Sequence, residues 1–209
     1  MLNKIIKNTN GHSFVDLGLP SGTLWATKPL MSENGEVLYF AWGGIQGMTK
    51  EHVEKLDFLF GIKQGKVGSV VPYMDDEFTP TKYNRTDSKV VLDLEDDAAH
   101  VHMGGDWHMP TKEQLEELID NTTSTWTTQN GVNGMLLTSN VNGNSVFVPA
   151  FGFAYHGAVN DFGSSTNFWS SSLNSDYMTY AWYLSFSSDF LDVYDYGRPY
   201  GHCVLGVVG

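Results

Sequence analysis

Residues 96–119 read DDAAHVHMGGDWHMPTKEQLEELI, and the second half of this stretch carries a complete helix signal. Pro110 precedes Thr111, and Gln114 follows three residues later, the spacing at which side chain and backbone cap each other reciprocally. Glu113 lies near the positive end of the helix dipole, while Leu115, Leu118 and Ile119 fall on one face. A helix beginning after Pro110 is therefore predicted. A second, shorter helix is predicted over Glu95 to His102, with acidic residues at its start and Ala98 and Ala99 suited to close packing.

Outward from this pair, the chain changes character. Residues 13–27, SFVDLGLPSGTLWAT, read as one or two strands around a Pro-Ser-Gly reversal, and Val37 to Trp42 continues in strand style. Thr49 to Phe60 carries Val53, Leu56, Phe58, Leu59 and Phe60, the pattern of a short helix ended by Gly61; residues 61–92 have no periodicity. From Thr122 onward, Gly, Asn, Ser and Thr punctuate β-rich runs at Met135 to Ser139, Ser145 to Pro149, Thr179 to Phe186, Phe190 to Tyr194 and His202 to Val208. Helices early and strands late imply an α+β fold, two helices packed on antiparallel strands. Within residues 180–186, YAWYLSF, the even positions are bulky and apolar while Tyr183 and Ser185 fall on the other face. One face is expected to build core and the other to be free for binding.

The composition narrows the partner. With 209 residues, 13% aromatic and 17% charged, the chain is expected to form one packed domain with a lightly charged surface. The formal net charge is −12, and from Glu113 onward nine acidic residues face a single basic one, Arg198. Such a half cannot neutralise phosphates, so no nucleic acid or anionic membrane is expected there; the partner is neutral, cationic or recognised by shape. Residues 1–10 lack the apolar run of a secretory signal, and no stretch of about 18 apolar residues exists, so neither export nor membrane insertion is expected.

Several segments together carry a resemblance. Residues 96–119, with VDLGLPSGTLWAT at 15–27, YFAWG at 39–43, TWTTQNGVNG at 125–134 and FWSSS at 168–172, resemble the formylglycine-generating-enzyme type of C-type lectin fold. The matching segments cover most of the chain outside residues 44–92, which then form an irregular insertion. Within that superfamily are the variable proteins of diversity-generating retroelements, phage tropism determinants among them. The segment AWYLSFSSDFLDVYDYGRPYGHCV at 181–204 resembles their rewritten tail. Ala181, Leu184, Phe186, Val193, Arg198, Gly201 and Val204 correspond to the fixed frame, and Tyr183, Ser185, Phe190, Asp192, Tyr194, Asp195, Tyr196, Gly197 and Tyr200 between them to diversified positions, within a variable region of about 170–204. Asn codons rewritten at their adenines cannot encode Lys, Glu, Gln, Met or Trp, and none of these occurs from Tyr183 to Gly209. Cys203-Val204-Leu205-Gly206-Val207 departs from the usual Ser-Val-Arg-x-Val ending, which blurs the boundary of the variable segment.

The resemblance implies a non-catalytic display protein on a phage tail or capsid, or on a bacterial surface, recognising a protein or glycan receptor, with a homo-trimer as a possible assembly. Residue chemistry points the same way. Tyr offers rigid amphipathic contact at low entropic cost, and Ser and Asp offer adaptable hydrogen bonds. The candidate ligand-binding residues are Asn174, Asp176, Tyr177, Tyr180, Tyr183 and Ser185, together with Phe190, Asp192, Tyr194, Asp195, Tyr196 and Tyr200. A fixed assembly or adhesin module, its Tyr face against a neighbouring subunit, is the alternative.

Catalytic readings have less to stand on. Formylglycine-generating members of the fold oxidise cysteine with a cysteine pair, and Cys203 is the only cysteine here; it is expected to be a small apolar core or edge residue beside a non-cooperating His202. His100 and His102 are two apart, diverging by about 200° on a helix, so with His108 they are read as solvated residues and not as a zinc site. The acidic runs Asp75-Asp76-Glu77 and Glu95-Asp96-Asp97 lack a calcium-loop spacing and are read as helix-end or solvated charge. The calcium-dependent sugar signatures of animal lectins, hydrolase elbows and nucleotide loops are absent, so no cofactor and no metal is expected.

Overall fold

The computed structural model describes residues 7–55, 71–75 and 77–209. The chain opens with three short strands, β1 (Lys7–Thr9), β2 (His12–Asp16) and β3 (Leu24–Ala26), then helix α1 (Lys50–Glu54). A 3-10 turn (Leu94–Asp96) leads into α2 (Ala98–Met103) and α3 (Lys112–Asp120). The strand-rich half follows as β4 (Thr122–Gln129), β5 (Val132–Ser139), β6 (Ser145–Pro149), β7 (Phe153–Tyr155), β8 (Ala158–Asn160), β9 (Ser165–Leu173), β10 (Tyr180–Ser187), β11 (Leu191–Gly197) and β12 (Val207–Val208). The strands form sheets ordered β1-β2-β3-β12, β11-β10-β9 and β4-β5-β6, with β7-β8 as a separate hairpin. Every pair among them is antiparallel. The fold is α+β, dominated by antiparallel sheet.

The helix after Pro110 forms as its sequence requires. Thr111 Oγ1 accepts from Gln114 N–H at 3.3 Å and Gln114 Oε1 accepts from Thr111 N–H at 2.9 Å, while Leu115 and Leu118 are buried. α3 packs against β9, β10 and β11, fixing the sheet on which the candidate site is built. The second helix is shorter than expected: Leu94–Asp96 tightens into the 3-10 turn, and Asp97 caps α2 by accepting from His100 N–H. The same carboxylate accepts from Met109 N–H at 2.8 Å, tying the two helical segments together. Asp96 and Asp97 are buried, so the solvated reading of the run 95–97 is corrected for these two. Of the helix expected over Thr49 to Phe60, the described part ends at Glu54; residues 56–70 and Asp76 lie outside the described residues.

Two stretches read as strands are held differently. Of residues 202–208 only β12 pairs in a ladder, because the chain at 201–206 passes between separate neighbours. Gly201 N–H donates to Ala154 O, His202 N–H to Phe40 O and Cys203 N–H to Asn167 O, while Val204 O accepts from Leu30 N–H and Gly206 O from Ala26 N–H. Val37 to Trp42 likewise contributes isolated bridges, Tyr39 to Met48 and Phe40 to His202. These central segments are buried, and their backbone groups are satisfied one neighbour at a time.

Trp25, Trp42, Trp107 and Trp169 are fully buried, and three of their indoles also staple distant segments. Trp42 Nε1 donates to Ser170 O at 2.9 Å, Trp169 Nε1 to Phe40 O at 2.8 Å and Trp107 Nε1 to Thr9 O at 3.1 Å. β9 is buried along nearly its whole length despite three consecutive serines. Ser170 Oγ donates to Trp182 O at 2.8 Å, and Ser172 Oγ accepts from Lys112 N–H at 3.0 Å, so burial leaves these hydroxyls partnered.

Candidate ligand-binding cleft

The β10–β11 hairpin sets the site. Tyr183 pairs with Tyr194, Ser185 with Asp192 and Ala181 with Tyr196, so these residues share one face. β9 extends that face, with Trp169 beside Tyr183 and Asn167 beside Ser185. The opposite face carries Leu184 and Phe186, buried towards α3 and Trp126, and the half-buried Trp182, over which Lys112 Nζ stands at 4.1 Å. The alternation expected from the sequence holds for Leu184 and Phe186. It does not leave Ser185 free: Ser185 is buried and donates to Asn167 Oδ1 of the neighbouring strand β9 at 2.8 Å.

A cleft of about 680 Å³ opens over this face. Tyr183, Ser185 and Asn167 form its inner side, with His202 at the floor. Tyr196 and Tyr200 line one wall with Tyr155 and Phe153 from β7, and Phe190 and Asp189 from the β10–β11 turn border it elsewhere. Asp161 lines it from the loop after β8. Its size lies within the range of small-ligand pockets.

The aromatic rings are fixed by one another. Tyr155 and Tyr200 stack with centroids 4.3 Å apart and planes at 7°, and Tyr196 meets Tyr200 edge-on at 4.5 Å. Tyr180 and then Tyr177 extend the row outward at 5.7 and 6.1 Å. A second row runs Phe190, Tyr194, Tyr183, His202. Burial, then hydrogen bonds with Tyr155 and Tyr196, raise the Tyr200 phenol well above its usual range. Burial pushes Tyr183 up to about 12, with Asp195 adding to the effect. Both phenols are therefore neutral at physiological pH.

His202 is enclosed by Trp169 at 4.0 Å and Tyr183 at 4.7 Å, and among the described residues its ring nitrogens make no well-formed hydrogen bond, the Gly201 backbone being the polar group that favours its charged form. Burial lowers its pKa to about 3, so the ring is neutral. Cys203 is buried, as the sequence reading expected, and burial raises its thiol to about 12; it is a core group and no nucleophile at neutral pH.

The remaining sequence candidates are dispersed. Asn174 is buried and organises a turn: its Oδ1 accepts from the N–H groups of Asp176 and Tyr177, and its Nδ2 donates to Asp195 Oδ2 at 2.9 Å. Asp195, paired with Trp182, projects from the face opposite the cleft. Asp176, Tyr177 and Tyr180 are exposed beyond the wall, and Asp192 and Tyr194 are exposed on the hairpin outside the cleft lining. Five of the twelve, Tyr183, Ser185, Phe190, Tyr196 and Tyr200, line the cleft. Sequence reading missed Tyr155, Asn167, Asp161 and His202. The motif FWSSS begins one residue after Asn167, but nothing local marks Tyr155 or Asp161.

His100, His102 and His108 bond to separate backbone carbonyls, of Trp107, Ile45 and Met109, and do not converge. Among the described residues the one acidic group close enough to share a cation is Asp93, Glu95 and Asp96. Lys82 Nζ already occupies it, at 2.5 Å from Asp96, 2.8 Å from Asp93 and 3.6 Å from Glu95. Among the described residues no helix is long and apolar enough to cross a membrane. Compared with protein-family models, curated proteins and solved structures, the chain finds no match.

Proposed function

We propose that the chain is a non-catalytic ligand-binding display protein with a C-type-lectin-like fold, a variable protein of a diversity-generating retroelement whose hairpin face and cleft recognise a cell-surface receptor. A phage tail or capsid is the setting that fits best. The observation that carries this reading is how burial divides the tail. Six of the seven frame positions of the resemblance, Ala181, Leu184, Phe186, Arg198, Gly201 and Val204, are buried and Val193 is half-buried, whereas of the nine positions between them Phe190, Asp192, Tyr194 and Tyr196 are exposed, Tyr183, Asp195, Gly197 and Tyr200 half-buried and Ser185 buried. Exposed aromatic side chains on a rigid sheet can change without disturbing the core, which is what a recognition surface open to variation needs. Catalysis has little support: the cleft's imidazole is buried and held neutral, with no acidic or nucleophilic side chain bonded to it among the described residues, and the one thiol is held protonated in the core.

Deep sequencing of the gene's 3′ end across a propagated population, with its flanking DNA, tests this. Substitutions concentrated at template adenines in the codons of Tyr183, Phe190, Asp192 and Tyr194 are expected. An invariant 3′ end with no template repeat nearby removes diversification, and burial of the tyrosine face within an oligomer then assigns the chain to assembly instead.

A further inference from the structure

The cleft is rich in aromatic rings, and its described lining carries formal charge of one sign only. Asp161 and Asp189 line it, no Lys or Arg does, and neither carboxylate has an ion-pair partner among the described residues. Aromatic faces are electron-rich and attract a cation within about 6 Å of the ring centroid, more strongly as water is excluded. At the floor, His202 is buried and held neutral by that burial, so it adds no charge. Anionic ligands find nothing here to neutralise them.

The same molecule contains an occupied version of this chemistry. Lys82 Nζ stands 5.0 Å from the Tyr73 ring and 4.9 Å from the Tyr83 ring, with Asp93 and Asp96 beside it. There, two phenol rings and carboxylates close on an ammonium that the chain supplies itself. In the cleft the rings and carboxylates are present, and among the described residues no ammonium or guanidinium of the chain pairs with them.

We infer that this cleft takes an organic cation, an ammonium or guanidinium presented by a basic segment of a protein partner, held against the Tyr183, Tyr196 and Tyr200 rings and balanced by Asp161 and Asp189. The volume of about 680 Å³ gives room for a cationic side chain with the backbone flanking it. The charge complementarity extends beyond the cleft, since the chain from Glu113 onward has one basic residue and that residue, Arg198, is fully buried. From Glu113 onward the chain therefore sets no exposed basic residue against a basic partner.

The inference rests on the ligand-binding reading, and the test separates the two. The full chain is titrated by NMR with N-acetyl-lysine methylamide, N-acetyl-arginine methylamide, choline and choline's neutral isostere 3,3-dimethylbutan-1-ol, with methyl glucoside as a neutral sugar. Saturable shifts with the lysine or arginine amide are expected, with the neutral alcohol weaker by about tenfold. Asp161→Asn/Asp189→Asn and Tyr196→Leu should each weaken cation binding several-fold while leaving the spectrum of the folded protein intact. Equal or tighter binding of the alcohol or the glucoside, or no saturable shift with any cation, overturns the inference. Binding of choline alone replaces the protein partner by a small ammonium ligand and overturns that assignment. A receptor retained with undiminished affinity by Asp161→Asn/Asp189→Asn removes the cation and leaves the display reading standing. An invariant 3′ end alongside cation binding does the reverse.

Discussion

The molecule holds two aromatic and acidic enclosures that differ in whether the cation comes from within. Around Lys82, Tyr73 and Tyr83 face each other edge-on at 5.7 Å, and both hydroxyls hydrogen-bond to Asp96. Around the cleft, Tyr155 and Tyr196 hydrogen-bond to Tyr200, and Asp161 and Asp189 have no cationic partner among the described residues. In the first, aromatic rings and carboxylates spend their interactions on fastening residues 71–92 to the turn before α2. In the second they are rigid but uncommitted. The difference teaches where substitutions should register: in folding for the closed enclosure, in binding for the open one.

The largest effect should come from emptying the closed enclosure. Burial works against the ionised form of Asp96, yet Lys82 and the two phenols hold its pKa below the usual carboxylate range, and Lys82 with Lys89 holds Asp93 at about 2. Lys82→Met leaves Asp96 buried without its counter-ion, a change that costs about 3 kcal/mol or more. Chemical denaturation is expected to show that loss, and Lys82→Met/Asp96→Asn should recover a substantial part of it by removing the stranded charge. Equal stability of the single and double variants would break the comparison.

Next in size is a pH effect from His202. A histidine kept neutral by burial has a folded pKa, about 3, below its unfolded value of 6.5. Below pH 6.5 the unfolded chain takes up a proton that the folded chain refuses. This contribution to stability is therefore complete above that pH and declines by about 1.4 kcal/mol per unit as pH falls towards 3. Its rings neighbour Trp169, Tyr183, Tyr200 and Phe153, none of which is charged at these pH values. Between pH 6.5 and 5 the wild type should lose about 2 kcal/mol relative to His202→Leu. Parallel pH profiles for the two proteins would remove the buried neutral imidazole from the account.

How much of this was legible in the sequence follows from how local each signal is. The Thr111 to Gln114 capping box and the apolar positions of α3 are read within one turn of chain, and the helix stands where they put it. β9 was not legible as a strand, because Ser170, Ser171 and Ser172 carry no hydrophobic pattern and are made tolerable in the interior by partners on β10, α3 and the loop before it. Lys82 and Asp96 are 14 residues apart, with irregular chain between them, so nothing local tells a buried counter-ion from a solvated acid. The cleft was half legible for the same reason. Its β10–β11 side follows from alternation along the chain, whereas Tyr155, Asp161 and His202 reach it only through tertiary contacts.

A smaller stability effect belongs to the open enclosure. Tyr196 is 43% exposed, and its ring contacts are with Tyr180 and Tyr200. Tyr196→Ala should shift the unfolding midpoint by no more than the equivalent of about 1 kcal/mol, against about 3 for Lys82→Met. Truncating Tyr155 instead removes the stacked partner of Tyr200, worth about 1 kcal/mol beyond buried area, and should cost more than Tyr196→Ala. Reversal of that order, measured by thermal unfolding, would mean that the outer row of rings, not the inner stack, holds the wall together.

The smallest effects distinguish charge inside the cleft from charge merely near it. Asp189 lines the cleft, whereas Asp192, three residues along the hairpin and paired with Ser185, is exposed outside the lining. Both are surface carboxylates without ion-pair partners among the described residues, so Asp189→Asn and Asp192→Asn should each change stability by no more than about 0.5 kcal/mol. Their effects on cation affinity should diverge with ionic strength. At physiological salt, exposed charges are screened beyond about 8 Å, so Asp189, lining the cleft, counts there, and the response to Asp192→Asn reads how far the cation sits from the hairpin. At about 0.01 M salt the screening length grows to roughly 30 Å, and Asp192→Asn should then weaken choline or lysine-amide binding as well. If the two variants respond alike at both salt concentrations, the acidic surface attracts the cation as a diffuse field. If only Asp189→Asn responds at high salt, a contact within the cleft does.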